Sequence, residues 1–147
     1  MEANDVKPET PRVGLFVTCL VDLFRPSVGF AAARLIEDAG CAIVVPETQT
    51  CCGQPAYNSG EPDAARALAL QTIRSFENMD YVVTPSGSCA AMLRVHYPLL
   101  FKDRPEEPDV RAFAARVFEL TSFLVEVRGA AGINAVFAGR VAHHDAC

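Results

Sequence analysis

Four of the six cysteines in this 147-residue chain follow one another as Cys19-x31-Cys51-Cys52-x36-Cys89. Thiolates are soft ligands, and a set of them selects zinc or an iron–sulfur cluster over hard cations. Gly53, directly after the vicinal pair, lets the backbone approach a bound group closely, and amides around Gly87 could hydrogen-bond inorganic sulfide. Any one cysteine alone reads best as a buried apolar residue. A vicinal pair with two further cysteines at the same place makes that reading the weaker one. Structural zinc sites are usually built on closely spaced C-x-x-C pairs. None occurs here, so zinc ranks second to an iron–sulfur cluster.

For the four to meet, the fold must bring them together. Short apolar runs alternate with longer helical patterns, which predicts an α/β chain with an open, mostly parallel four-stranded sheet and helices on both faces. Residues 13–18 (VGLFVT) read as the first strand, buried on both sides. Pro26 opens a helix whose inward positions are Val28, Ala32, Leu35, Ile36 and Ala39, stopped by Gly40. Residues 42–45 form the second strand. A helix from Pro62 faces inward with Ala65, Leu68, Ala69, Thr72, Ile73 and Phe76. Tyr81–Thr84 is the third strand, and the tight turn 85–88 leads into a helix through Leu93. Residues 102–109, rich in charge and proline, are a surface loop. Val110, Phe113, Val117, Leu120 and Leu124 step by three and four residues, predicting one helix. Residues 140–144 are the last strand, and the doubly wound rule gives a strand order of 2-1-3-4.

In such a sheet the loops beyond the carboxyl ends of the strands collect functional residues. Cys19 follows strand one, Cys51 and Cys52 follow strand two, and Cys89 follows strand three. Cys41 begins strand two, so it belongs at the opposite edge as a buried apolar residue. Of the histidines, His96 reads as a surface or capping residue. His143 and His144 reach the cysteine edge, one of them facing it, and their default role is a hydrogen-bonded core residue.

Composition narrows the function classes. Thirteen basic and eighteen acidic residues give a net charge of −5, leaving no basic stripe for nucleic acid or an anionic membrane. No apolar run is long enough for membrane insertion, and residues 1–11 are a polar tail without a hydrophobic signal segment. The expected location is the cytoplasm, where thiols stay reduced and cysteines serve metal or redox chemistry. No G-x-G-x-x-G follows a strand, so neither a flavin nor a nicotinamide fingerprint is present.

Cys19-x5-Arg25 matches the C-x5-R of small tyrosine phosphatases, but Leu20, Val21, Leu23 and Phe24 are too bulky for a phosphate cradle. Cys89 on a strand–turn–helix elbow as a nucleophile needs a histidine base. A zinc-stabilised or metal-free interaction module is the rival of another class.

The spacing, with Pro85-x-x-x-Cys89 after Cys-Cys-Gly, resembles the cysteine-rich CCG domain. That domain is shared by the cysteine-rich component of heterodisulfide reductase, the iron–sulfur component of glycolate oxidase and the lactate utilization protein A family. Residues 18–29 (TCLVDLFRPSVG), 50–60 (TCCGQPAYNSG) and 85–92 (PSGSCAAM) fit the last group best. The resemblance covers residues 12–147 and implies the first half of a tandem two-motif protein. His144-Asp145-Ala146-Cys147 resembles the opening of the second motif, which makes Cys147 a further candidate ligand. Ser86 stands where the heterodisulfide reductase pattern has a cysteine. The resemblance therefore implies a simpler [4Fe–4S] cluster on Cys19, Cys51, Cys52 and Cys89. It also implies an electron-transfer subunit of an L-lactate-oxidising complex, not catalytic alone, with a glycolate-oxidising assembly as the alternative. Its partners are other subunits of that complex or further copies of the chain.

Overall fold

The structure is a computed structural model describing residues 10–133 and 135–142. Strands β1 (Arg12–Leu15), β2 (Ala42–Val44), β3 (Tyr81–Thr84) and β4 (Val117–Glu119) form one parallel sheet in the order β2-β1-β3-β4. The register pairs Val13 with Ile43, Gly14 with Val82, and Val83 with Phe118. Fold class and strand order are as the sequence predicts.

The pleat sends alternate residues to two cores. On one face Val13, Leu15 and Val83 meet Ala32 and Ile36 of α2 (Pro26–Asp38), together with Leu120, Phe123 and Leu124. On the other face Phe16 and Val82 meet Ala65, Ala69 and Phe76, which belong to α4 (Pro62–Ser75) and its C-cap. Gly14 makes this second layer possible. A Cβ there would stand 2.4 Å from a Phe76 ring carbon, so only glycine lets that ring lie on the sheet.

Three readings need correction. Val28 of α2 is 41% exposed, whereas Ala32 and Ile36 are buried with Gly29, and Leu35 and Ala39 pack half-buried against the same core. The helix after the third strand runs past Leu93: α5 (Gly87–Ala91) passes through a π-helical stretch (Met92–His96) into α6 (Tyr97–Leu100).

The largest miss is the expected helix over residues 110–124. It divides into α7 (Glu107–Ala115), strand β4, and α8 (Leu120–Ser122) with a π-helical turn at Phe123–Val127. The last residues of the expected charged loop thus open α7. Val110, Phe113, Val117, Leu120 and Leu124 are all buried, but a helix–strand–helix path can place inward residues at the same three- and four-residue steps. Arg116 secures the break by donating from its guanidinium to the main-chain oxygens of Glu77 and Met79. The fourth strand is therefore Val117–Glu119, and residues 140–142 carry no strand. His143, His144 and Cys147 lie outside the described residues. Among the described residues, no helix is long and apolar enough to cross a membrane.

Candidate metal centre

Each cysteine reaches the carboxyl edge of the sheet by a separate local device. Thr18 leaves β1 with φ 75° and ψ 144°, a backbone conformation that costs a β-branched residue strain. Its Oγ1 accepts from the Val21 amide at 3.2 Å, opening α1 (Cys19–Phe24) with Cys19 as the first residue. Gln49 folds its side chain back over β1. It accepts from the Val17 amide at 2.9 Å and donates to the oxygens of Leu15 and Pro46 at 3.3 and 3.1 Å. That tie draws the chain leading to Cys51 toward Cys19.

Gly53 adopts φ 85° and turns the chain from Cys52 into α3 (Gln54–Asn58). A side chain here would find only ordinary contacts at 3.5 Å, so the left-handed dihedral is what selects glycine. Ser86 caps α5, its Oγ accepting from the Cys89 amide at 3.4 Å and lying 3.3 Å from Ser88 Oγ.

These devices gather Cys19, Cys51, Cys52 and Cys89 around one cavity of about 330 Å³, lined also by Thr18, Leu20, Gln54, Pro85 and Ser86. Gly53 and Gly87 are not lining residues, although the chain neighbours of both are. A second hollow of about 410 Å³ shares Thr18, Cys19 and Cys51 and extends over Asp22, Glu47 and Gln49. Cys19 is exposed, Cys51 half-buried, and Cys52 and Cys89 buried. Cys41 is buried in the other core, among Ile36 and its aliphatic neighbours.

The thiols stand as two pairs, Cys19 against Cys51 and Cys52 against Cys89. The hydrogen bond from Cys52, reinforced by the hydroxyls of Ser86 and Ser88, pulls the Cys89 thiol down to about 6, against the opposing effect of burial. The same bond, with burial, pushes Cys52 far up, so the two thiols shift in opposite directions. Burial, then the neighbouring Cys51, raises Cys19, and burial raises Cys41. Among the described residues, no group of three or more His, Cys, Asp or Glu side chains is drawn closely enough to hold a metal ion as it stands. The donor chemistry fits an iron–sulfur cluster: four soft donors on one cavity, one of them with its thiol pulled down by hydrogen bonds.

The other sequence-based candidates separate from this set. Residues 20–24 are wound into α1, where the Asp22 and Arg25 amides donate to the Thr18 and Val21 oxygens. The amides a phosphate cradle would need are thus spent on a helix. His96 packs against Tyr57, ring centroids 4.8 Å apart and planes tilted by 39°, and its side chain caps no helix.

Residues 13–94, which include all four cysteines, match the family model described as CCG, cysteine-rich domain. The chain belongs to the CCG cysteine-rich domain family. Lactate utilization protein A of Geobacillus thermodenitrificans (strain NG80-2) is 51% identical over 137 residues, covering 92% of this chain and 57% of the relative. The Geobacillus kaustophilus (strain HTA426) protein of the same name is 50% identical over the same shares. That of Exiguobacterium sp. (strain ATCC BAA-1283 / AT1b) is 47% identical over 140 residues, 93% of this chain and 57% of the relative. The chain thus spans little more than half the length of these curated relatives. No solved structure matches it.

Proposed function

We propose that this chain binds a [4Fe–4S] cluster through Cys19, Cys51, Cys52 and Cys89 and carries electrons within an assembly that oxidises L-lactate. The observation that carries this reading is the meeting of four thiols from three strand–helix junctions on one cavity. When bound, the cluster supplies one-electron transfer at a potential tuned by hydrogen bonds and solvent exposure. The chain's own residues would do the rest. Cys89 would ligate as thiolate, a form that the Ser86 and Ser88 hydroxyls favour, and Cys52 would lose its proton on ligation. Leu20 and Pro85 line the cavity beside the cysteines.

The lactate assignment draws on the names of the relatives, and glycolate is the nearest alternative substrate for the assembly. Leu20 on the cavity, Leu23 on the adjoining hollow, and Phe24 and Phe30 on the same two helices α1 and α2 are all strongly exposed, which favours a docked neighbour, since isolated domains rarely leave such residues bare. That neighbour is another subunit, a further copy, or the second motif of a tandem protein of which residues 12–147 form the first half. A cytoplasmic location would keep the thiols reduced.

Anaerobic reconstitution with iron and sulfide tests the cofactor. Uptake at [4Fe–4S] stoichiometry, with charge-transfer absorbance and an EPR signal on reduction, is the expected result. Protein that takes up zinc alone, or no metal, under those conditions overturns the reading in favour of an interaction module.

A further inference from the structure

Tyr97 is wholly buried, and its hydroxyl donates to the main-chain oxygen of Cys52 at 2.9 Å, across 45 residues of sequence. The continuous helical path 87–100 makes this contact possible. Pro98 has no N–H to donate, and its ring would strike the Arg94 oxygen four residues back in an α-helix. The helix widens just before it, and the Tyr97 amide donates to Met92, five residues back. Without that widening, Tyr97 would lie roughly 80° around the helix from Cys89, eight residues earlier at 3.6 per turn. Wider turns rotate each residue less and bring Tyr97 back toward the Cys89 side. One helix therefore meets the Cys52 turn twice, through Cys89 on the cavity they share and through Tyr97 at the Cys52 carbonyl.

We infer that Tyr97 is a positioning residue of the cysteine site, its hydroxyl fixing the Cys51-Cys52-Gly53 turn to the helix that carries Cys89. The ring has a separate task, stacking on Phe113 with centroids 6.2 Å apart. Tyr97→Phe keeps that packing and removes the hydroxyl alone, leaving a buried carbonyl unpaired. The turn should then open more often while the rest of the fold stays closed.

This inference deepens the cluster reading, but its test needs no metal. Iron-free full chain is alkylated with iodoacetamide at fixed pH, and the rates at Cys52 and Cys41 are followed by peptide mass spectrometry. Cys41, buried in the opposite core, reports opening of the fold as a whole. The Cys52 rate relative to Cys41 should rise about tenfold in Tyr97→Phe, the loss expected for one buried hydrogen bond. Tyr81→Phe, a hydroxyl deletion at the start of β3, should leave the ratio unchanged. An unchanged ratio in Tyr97→Phe overturns the inference. So does an equal acceleration of both cysteines, which would make Tyr97 a residue of general stability. Failure of the wild type to take up iron would remove the proposed cofactor and leave this result standing.

Discussion

The two ends of the sheet meet the same backbone demand in different ways. At the amino end, the chain leaves α2 through Gly40 at φ 79°, the residue for which a left-handed turn costs least. At the carboxyl end, the chain leaves β1 through Thr18 at φ 75°, where a β-branched side chain makes the same region costly. The cysteines divide along the same line. Cys41 follows Gly40 into an aliphatic core, whereas Cys19 follows Thr18 onto a cavity with three other thiols. One end is built for economy. The other carries strain, exposed apolar residues and a thiol pulled down by its neighbours, a combination that folding alone does not require.

The sharpest way to break this comparison is to delete one cysteine at each end. Cys89→Ala should abolish cluster uptake in anaerobic reconstitution, because one ligand of four is gone. Cys41→Ala should keep full iron and lose only packing, about 1 kcal/mol in urea unfolding. Retained iron in Cys89→Ala together with lost iron in Cys41→Ala would invert the assignment of the two ends.

Thiol reactivity separates the ends next. In iron-free protein the Cys89 alkylation rate should climb as pH rises through about 6, since the thiolate is the nucleophile. Cys41, raised by burial from its ordinary 9.0, should stay slow through neutral pH. Reactivity is the quantity to follow: Cys52 shifts the opposite way to Cys89, so their contributions to the pH dependence of stability oppose each other. A Cys89 inflection above 8 would remove the hydrogen-bonded pair from the account.

Ser86 gives a smaller effect. Ser86→Ala removes the cap on α5 and should cost about 1 kcal/mol, while raising the Cys89 inflection. Ser86→Cys restores a C-x-x-C turn beside Cys89 and should change the EPR signal of the reconstituted protein. An unaltered signal would mean that position 86 does not reach the cluster.

Much of this was legible in the sequence because it depends on chain order alone. A strand followed by a cysteine, three times over, puts those cysteines at one sheet edge whatever the side chains do in detail. Cys41, before its strand, goes to the other edge by the same logic. What stayed hidden depends on contacts between distant segments. Nothing near Gln49 announces that its side chain will bind β1, and Tyr97 gains its partner only through the widening forced by Pro98. The fourth strand was hidden differently. Val117 is buried on a period that a helix would also satisfy, and only its pairing with Val82 distinguishes the two.

The finest test of the two ends exchanges their turn residues. Gly40→Ala keeps ordinary room, since the nearest atom to a new Cβ is an Arg128 nitrogen at 3.6 Å. Its cost is therefore the dihedral alone, about 1 kcal/mol of destabilisation. Thr18→Gly balances several terms. Losing the Oγ1 cap to Val21 costs a few tenths of a kcal/mol when glycine replaces it, and glycine's greater unfolded entropy costs about 0.5–1 kcal/mol. Relief of the strained dihedral returns about 1–3 kcal/mol. Thr18 is buried, so losing its methyl costs about 0.8 kcal/mol more. The sum is near zero, so chemical unfolding should find Thr18→Gly close to wild type while Gly40→Ala falls below it. Cys19 would nonetheless lose the rigid turn that aims it at Cys51, and reconstituted Thr18→Gly should lose its cluster faster in air. If Thr18→Gly instead unfolds as readily as Gly40→Ala, the carboxyl end carries no strain, and the contrast between the two ends reduces to their cysteines.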